Sequence, residues 1–241
     1  MKIICIGRNY QDHISELSNQ RPTAPVVFIK PDSAVLPKEQ DFYIPDFSSD
    51  IHYEVEVLVK IKKVGKHISP EFAHLYFDEV GLGIDFTARD LQEELKSKGL
   101  PWEKCKGFDG SAVIGEWVPA KALPALNSLT FSLQQNGKTV QQSNTREMLW
   151  SIEELLSYVS TFFTLKKGDI IFTGTPAGVG PISKGDSLEG FLEGQFFTKI
   201  GDIFTNNYKT NNYKTNIQYK FSIKCDKNQL GKLNSAYNIT V

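Results

Sequence analysis

The sequence predicts a β-rich α+β fold on three observations: its strongest hydrophobic periodicity is period two, its helical stretches are few and short, and strands do not alternate regularly with helices. The third observation disfavours a doubly wound parallel sheet. The opening run Ile3 to Ile6 stops at Gly7, too brief for a signal sequence or a spanning helix. Asn9 is a candidate cap for a helix over 12–18. Strands follow at 26–30 and 52–61. In the second, Tyr53, Val55, Val57, Val59 and Ile61 point one way and Glu54, Glu56 and Lys60 the other, the pattern of a half-buried strand. Pro70 after Ser69 opens a predicted helix over 70–77. A glycine-punctuated strand over 80–86 leads into a helix over 88–98, and a further strand spans 112–117. Asn136-Gly137 tolerates the positive φ angles of a type I′ turn and so joins strands 129–135 and 138–142 in a hairpin. Apolar residues Ile152, Leu155, Leu156, Val159, Phe162 and Phe163 at helical spacing mark a helix over 152–162, and the last strand spans 169–173.

At 241 residues, one large or two small domains are open. Residues 1–200 show no linker, whereas 201–241 hold six Lys, two acids, eight Asn and a tandem TNNYK repeat, and read as a basic, low-complexity tail. The net charge of −1 gives no whole-chain field for nucleic acid or an anionic membrane. Cys5, Cys105 and Cys225 have neither disulfide-framework nor zinc spacing, which fits a reducing, cytoplasmic compartment.

Two carboxylates two residues apart on a strand project side by side, their Cβ atoms roughly 6 to 7 Å apart. Alone, Glu54 and Glu56 read as the solvated face of an edge strand. Asp85 changes that reading, because it ends a strand just before a helix, where functional groups sit on a rigid base. Three carboxylates from two strands make a hard, all-oxygen site suited to Mg²⁺ or Mn²⁺. His13 and Glu16, three apart, share a helical face, so that a carboxylate can orient an imidazole. The segment 174–180 is glycine-rich but lacks phosphate-loop spacing.

The segments IGRNYQDHISEL, FIKP, HYEVEV, GIDFTARDLQ, KGLPWEKCKGFD and GDIIFTGTPAGVGP, in this order, resemble the fumarylacetoacetate hydrolase family, most of all its acylpyruvate hydrolase and oxaloacetate decarboxylase branch, over residues 1 to 193. The resemblance implies a mixed β-sheet roll with few short helices. It implies Glu54, Glu56 and Asp85 as metal ligands, Lys106 rather than Lys104 as the active-site lysine, Arg89 and Gln92 as substrate contacts, and a turn over 173–176 that brings Thr175 near the substrate. It further implies that His13 and Glu16 ride on a lid that closes over substrate and activates water.

The function expected from this resemblance is Mg²⁺- or Mn²⁺-dependent hydrolysis of C–C bonds in small 2-oxo acids such as acylpyruvates, with decarboxylation of oxaloacetate as a related activity. Alternatives are a 2-hydroxymuconate-type isomerase or decarboxylase and a non-catalytic metal- or ligand-binding relative. The expected partner is a small 2-oxo acid, with a homodimer as assembly and neither nucleic acid nor membrane as target. The segment FSIK, 221–224, is a candidate to resume the family's last strand after an insertion.

Overall fold

The computed structural model describes residues 1–17, 20–38, 40–194 and 222–224. A six-stranded sheet runs in the order β2-β1-β10-β4-β5-β7, built from β1 (Ile3–Gly7), β2 (Val26–Lys30), β4 (Val55–Ile61), β5 (Phe77–Asp85), β7 (Ala112–Pro119) and β10 (Ile170–Phe172). Only β1 and β10 pair in parallel in this sheet; its other pairings are antiparallel. A four-stranded sheet, order β13-β12-β8-β9, packs against it and consists of β8 (Thr130–Gln135), β9 (Lys138–Asn144), β12 (Ser187–Leu192) and β13 (Ser222–Lys224). A small third sheet joins β3 (Ile51–Tyr53), β6 (Thr87–Ala88) and β11 (Gly180–Pro181). The helices are α1 (Gln11–Glu16), α2 (Arg89–Ser97), α3 (Glu103–Lys106) and α4 (Ile152–Phe162).

The period-two pattern folds as the pleat dictates, but with both faces covered. Val55, Val57, Val59 and Ile61 of β4 enter the main core with Ile4 and Ile6 of β1, Leu133 of β8 and Leu155 of α4. The opposite face of the sheet buries a second cluster of Leu58, Ile3, Cys5, Ala112, Ile170 and Phe172. The half-buried strand expected over 52–61 is therefore corrected twice. Its chain breaks at Glu54 into strands of different sheets, and its acids lie in a buried layer instead of solvent. The neighbours that cover them come from distant sequence, which a local pattern does not reveal.

Several local signals hold. Asn136 and Gly137 take φ of 54° and 80°, the turn expected between β8 and β9. Helix α4 carries a reciprocal capping box in which Ser151 and Glu154 satisfy each other's backbone N–H. Two others are overturned. The stretch after Ser69 is a 3₁₀ helix, Pro70–Leu75, without a side-chain cap. Asn9 does not cap α1, whose N-cap is Tyr10. Its side chain instead donates to Thr173 O (2.8 Å) and Trp150 O (3.2 Å) and accepts from Trp150 N (3.0 Å), tying the end of β1 to the 173–176 turn. Cys5 and Cys105 are free and buried; Cys225 and the TNNYK repeat lie outside the described residues. No described helix is long and apolar enough to cross a membrane.

Buried Asp169 fixes the seam between β1 and β10. It accepts from Lys2 N and Lys166 N at 2.8 Å each and pairs with the Lys2 ammonium. Burial opposes its ionisation, but the bonds from Lys2 and Lys166 hold its carboxyl below the ordinary aspartate value. A depressed carboxylate contributes stability above its unfolded pKa of about 3.9 and loses it as pH falls through the lower folded value. Asp169→Asn is expected to cost about 1–3 kcal/mol at neutral pH. That gap, read from urea midpoints, should shrink as pH falls below the ordinary aspartate value and through the lower folded one; a gap of constant size across this range would refute the assignment.

Candidate metal centre and catalytic pocket

The break at Glu54 sets the geometry of the site. Asp85 N donates to Glu54 O (2.8 Å), which locks the end of β5 beside the start of β4 and brings Asp85 next to Glu54 and Glu56. One oxygen from each carboxylate lies within 4.8 Å of the other two, and all three residues are buried. Gly174 N donates to Glu56 Oε2 at 2.6 Å. Gly174 has φ of 106°, and a Cβ there would stand 2.7 Å from Asn9 Cβ, so this approach requires glycine.

Three cations face the three acids. The Lys106 ammonium, at the end of the one-turn helix α3, donates to Glu54 Oε2 (2.7 Å), Asp85 Oδ2 (2.8 Å) and Thr87 Oγ1 (2.6 Å). Arg89, the first residue of α2, donates to Glu54 Oε1 and, one helical turn along, to Gln92 Oε1. Lys30, fully buried at the end of β2, stands 2.7 Å from Asp85 Oδ1 but outside hydrogen-bonding angles. It bonds Ser111 Oγ (2.9 Å) and the carbonyl of Lys106.

This field divides the carboxyls. Burial alone would raise Glu54, but Lys106 and Arg89 hold it well below the usual carboxylate range. Burial, and then the charges of Asp85 and Glu54, push Glu56 well above it. Burial disfavours the Lys106 ammonium, which Asp85 and Glu54 more than offset, so its pKa is raised. A divalent cation fits this set: three buried oxygens converge and, among the described residues, Asp85 Oδ1 has no hydrogen-bond partner and Glu56 no ion pair. An all-carboxylate set favours a hard ion such as Mg²⁺ or Mn²⁺ over zinc.

His13 on α1, Arg89, Gln92, Lys106 and Thr175 line the pocket that holds the three acids. Glu16 is not part of the lining; it accepts from or pairs with His13 Nδ1 at 3.2 Å and receives Gly178 N at 2.9 Å. Burial resists its charge, yet His13 and Gly178 lower its pKa. Thr175 Oγ1 accepts from Gln141 Nε2 (2.9 Å), leaving its own hydroxyl proton free to donate into the pocket.

All nine residues singled out in the sequence thus belong to one pocket or its immediate support. Lys30, Thr87 and Gln141 were missed. For Lys30 a signal existed: a lysine ending the apolar strand VVFIK has to bury its charge or leave the sheet. Cys105 is no nucleophile candidate, since burial raises its thiol to about 11. His52 pairs with Asp50 at 2.9 Å, and His67 and His74 are exposed.

Residues 2–213 match the family model described as fumarylacetoacetate (FAA) hydrolase C-terminal. The chain belongs to the fumarylacetoacetate hydrolase family. Among relatives of that family, it is 41% identical over 192 residues to oxaloacetate tautomerase FAHD1, mitochondrial, of Mus musculus, covering 80% of this chain and 87% of that one. It is 39% identical over 198 residues to oxaloacetate tautomerase YcgM of Escherichia coli (strain K12), covering 82% and 90%. Its fold superposes with a TM-score of 0.80 and 32% identity on fumarylpyruvate hydrolase from Pseudomonas aeruginosa in complex with Mn²⁺ and pyruvate, covering 94% of this chain and 89% of that one.

Proposed function

We propose that the protein is a Mg²⁺- or Mn²⁺-dependent enzyme that cleaves C–C bonds of small 2-oxo acids such as acylpyruvates by hydrolysis. The observation that carries this reading is the convergence, in one pocket, of three buried carboxylates with the His13–Glu16 pair. Glu54, Glu56 and Asp85 would hold a cation, which when bound would supply Lewis-acid polarisation of the 2-oxo group and counter-charge for negative charge developing there. Arg89 and Gln92 orient the substrate carboxylate. His13, its ring oriented by Glu16, takes a proton from water as the oxygen adds to the distal acyl carbonyl. The C–C bond then breaks, releasing a carboxylic acid and the enolate of pyruvate. The Lys106 ammonium stabilises its oxygen, and a proton returned to its methylene carbon gives pyruvate.

A second reading, keto–enol interconversion of oxaloacetate, is favoured by the names of the relatives near 40% identity. It needs a proton carrier that removes a C3 proton to give oxaloacetate's own enolate and returns a proton to its oxygen, with no attacking water, whereas oxaloacetate decarboxylation would release CO₂ and leave the pyruvate enolate. In the His13→Ala variant, hydrolysis of acetylpyruvate is expected to fall about 10²–10⁴-fold, while pyruvate binding to the Mg²⁺-loaded protein changes little. Unchanged hydrolysis in that variant refutes the water-activating role. If the wild type interconverts oxaloacetate tautomers but leaves acetylpyruvate intact, the second reading replaces the first.

Every pocket residue lies between Ile6 and Thr175, which supports residues 1–200 as the catalytic unit, with β13 adding a strand at the edge of its sheet. We further read the protein as a cytoplasmic homodimer.

A further inference from the structure

Gln141, on β9 of the four-stranded sheet, is 1% exposed and bonds two separate parts of the site. Its Oε1 accepts from Val55 N at 2.9 Å, the N–H of the residue between Glu54 and Glu56. Its Nε2 donates to Thr175 Oγ1 and to Pro176 O, each at 2.9 Å. Two of these three partners are backbone groups with one role each, since a peptide N–H only donates and a carbonyl only accepts. The side-chain amide therefore fits in a single orientation: turned over, it would set N–H against N–H at Val55 and oxygen against oxygen at Pro176. Both amide hydrogens and the amide oxygen are engaged.

That orientation decides what Thr175 does. An amide nitrogen cannot accept a hydrogen bond, so Thr175 Oγ1 is the acceptor in its bond with Gln141 and the threonine's own proton has to point elsewhere. Among the described residues no other group takes that proton. Thr175 is itself buried and lines the pocket with Lys106 and the three acids, whereas Gln141 stands behind the wall. We propose that Gln141 is a positioning residue, which commits the Thr175 hydroxyl to donating toward an anionic oxygen of the bound 2-oxo acid and holds it in register with the strand that carries the acids. The inference rests on the reading of this pocket as a 2-oxo acid site and deepens it by adding a residue outside the pocket wall that acts through Thr175. Without the amide the hydroxyl rotates freely, and a donor aimed before the ligand arrives binds it more tightly than one that has to be ordered.

The test is calorimetric titration of the full chain with pyruvate at saturating Mg²⁺, which keeps changes in ion affinity out of the comparison. Thr175→Val should weaken pyruvate about tenfold, the loss of one hydrogen bond to a charged group, and Gln141→Met about fivefold. In the Thr175→Val background, Gln141→Met should change the affinity by less than about twofold, because the hydroxyl it acts on is gone. Thr175→Ser, which keeps the hydroxyl, should retain both the affinity and its dependence on Gln141. A merely structural glutamine would weaken binding by the same factor in both backgrounds; that result, or no loss in Gln141→Met, would overturn the inference. A second measurement leaves Gln141 in place and so holds even where Gln141→Met fails to fold. In nuclear magnetic resonance spectra of the labelled chain, both Gln141 side-chain amide protons should exchange slowly with solvent, and Thr175→Val should shift the one bonded to Thr175 more than the one bonded to Pro176. Rapid exchange of both, or no shift in Thr175→Val, would equally overturn it. A chain that shows the expected pyruvate dependence but turns over no 2-oxo acid defeats the proposed function and leaves this inference standing. Hydrolysis of acetylpyruvate with equal losses in both backgrounds does the reverse.

Discussion

Stripping divalent cations from the purified protein is expected to abolish its turnover of 2-oxo acids, and Mg²⁺ or Mn²⁺ to restore it. Oxygens of Glu54, Glu56 and Asp85 gather within 4.8 Å in a buried pocket, where like charges repel strongly. Lys106 and Arg89 offset Glu54, and Lys30 and Lys106 offset Asp85, but among the described residues Glu56 receives only the Gly174 N–H, and its carboxyl is pushed up. A hard dication answers that imbalance. Removing it forfeits several kcal/mol of charge stabilisation, which corresponds to roughly 10³-fold or more in rate. Asp85→Asn should produce a loss of similar size and should not be rescued by excess Mg²⁺. A chelated enzyme that keeps its full rate, or an Asp85→Asn variant that binds the ion as tightly as the wild type, would exclude the assigned role.

Lys30→Met is expected to destabilise the protein by about 3–5 kcal/mol, because it removes one member of a buried ion pair and leaves the other. Lys30 and Asp85 are both fully buried, and the lysine also bonds Ser111 and the carbonyl of Lys106. Its loss therefore leaves the Asp85 charge with Lys106 as its remaining cation among the described residues and loosens the end of α3 that carries the active-site lysine. Saturating Mg²⁺ should recover part of the deficit, since an ion that binds only the folded state stabilises it by mass action and also neutralises Asp85. Urea unfolding with and without Mg²⁺ measures both effects. A loss below about 1 kcal/mol, the range of exposed pairs, would mean that this pair is not desolvated.

What could be read before any coordinates depended on the range of the interactions. The hairpin turn at Asn136-Gly137 and the helix over 152–162 are settled by residues near in sequence, and both were legible; the capping box at Ser151 is equally local but is a finding of the structure. The three acids were legible because strand alternation and a strand end are also local. Asn9 misled because its side chain has the chemistry of a cap, yet stronger partners at Trp150 and Thr173, more than 140 positions away, take its hydrogen bonds. Pro70 gave a correct start signal for a helical segment but cannot distinguish a 3₁₀ turn from an α-helix. For Lys30 the strand VVFIK signalled a charge to be buried, but not its partner, since Asp85 is brought to it by strand order.

The parallel pairing of β1 with β10 imposes an order on folding. Lys2 and Asp169, which clasp that seam, are 167 residues apart, so the loop between them must close before α1 has a platform to stand on. The carboxylate trio comes from the neighbouring strands β4 and β5 and the residue before β4, whereas the β1–β10 seam beneath His13 joins nearly the two ends of the domain. The ion's seat thus rests on short-range strand pairing, and the base above it on the longest-range pairing of the sheet.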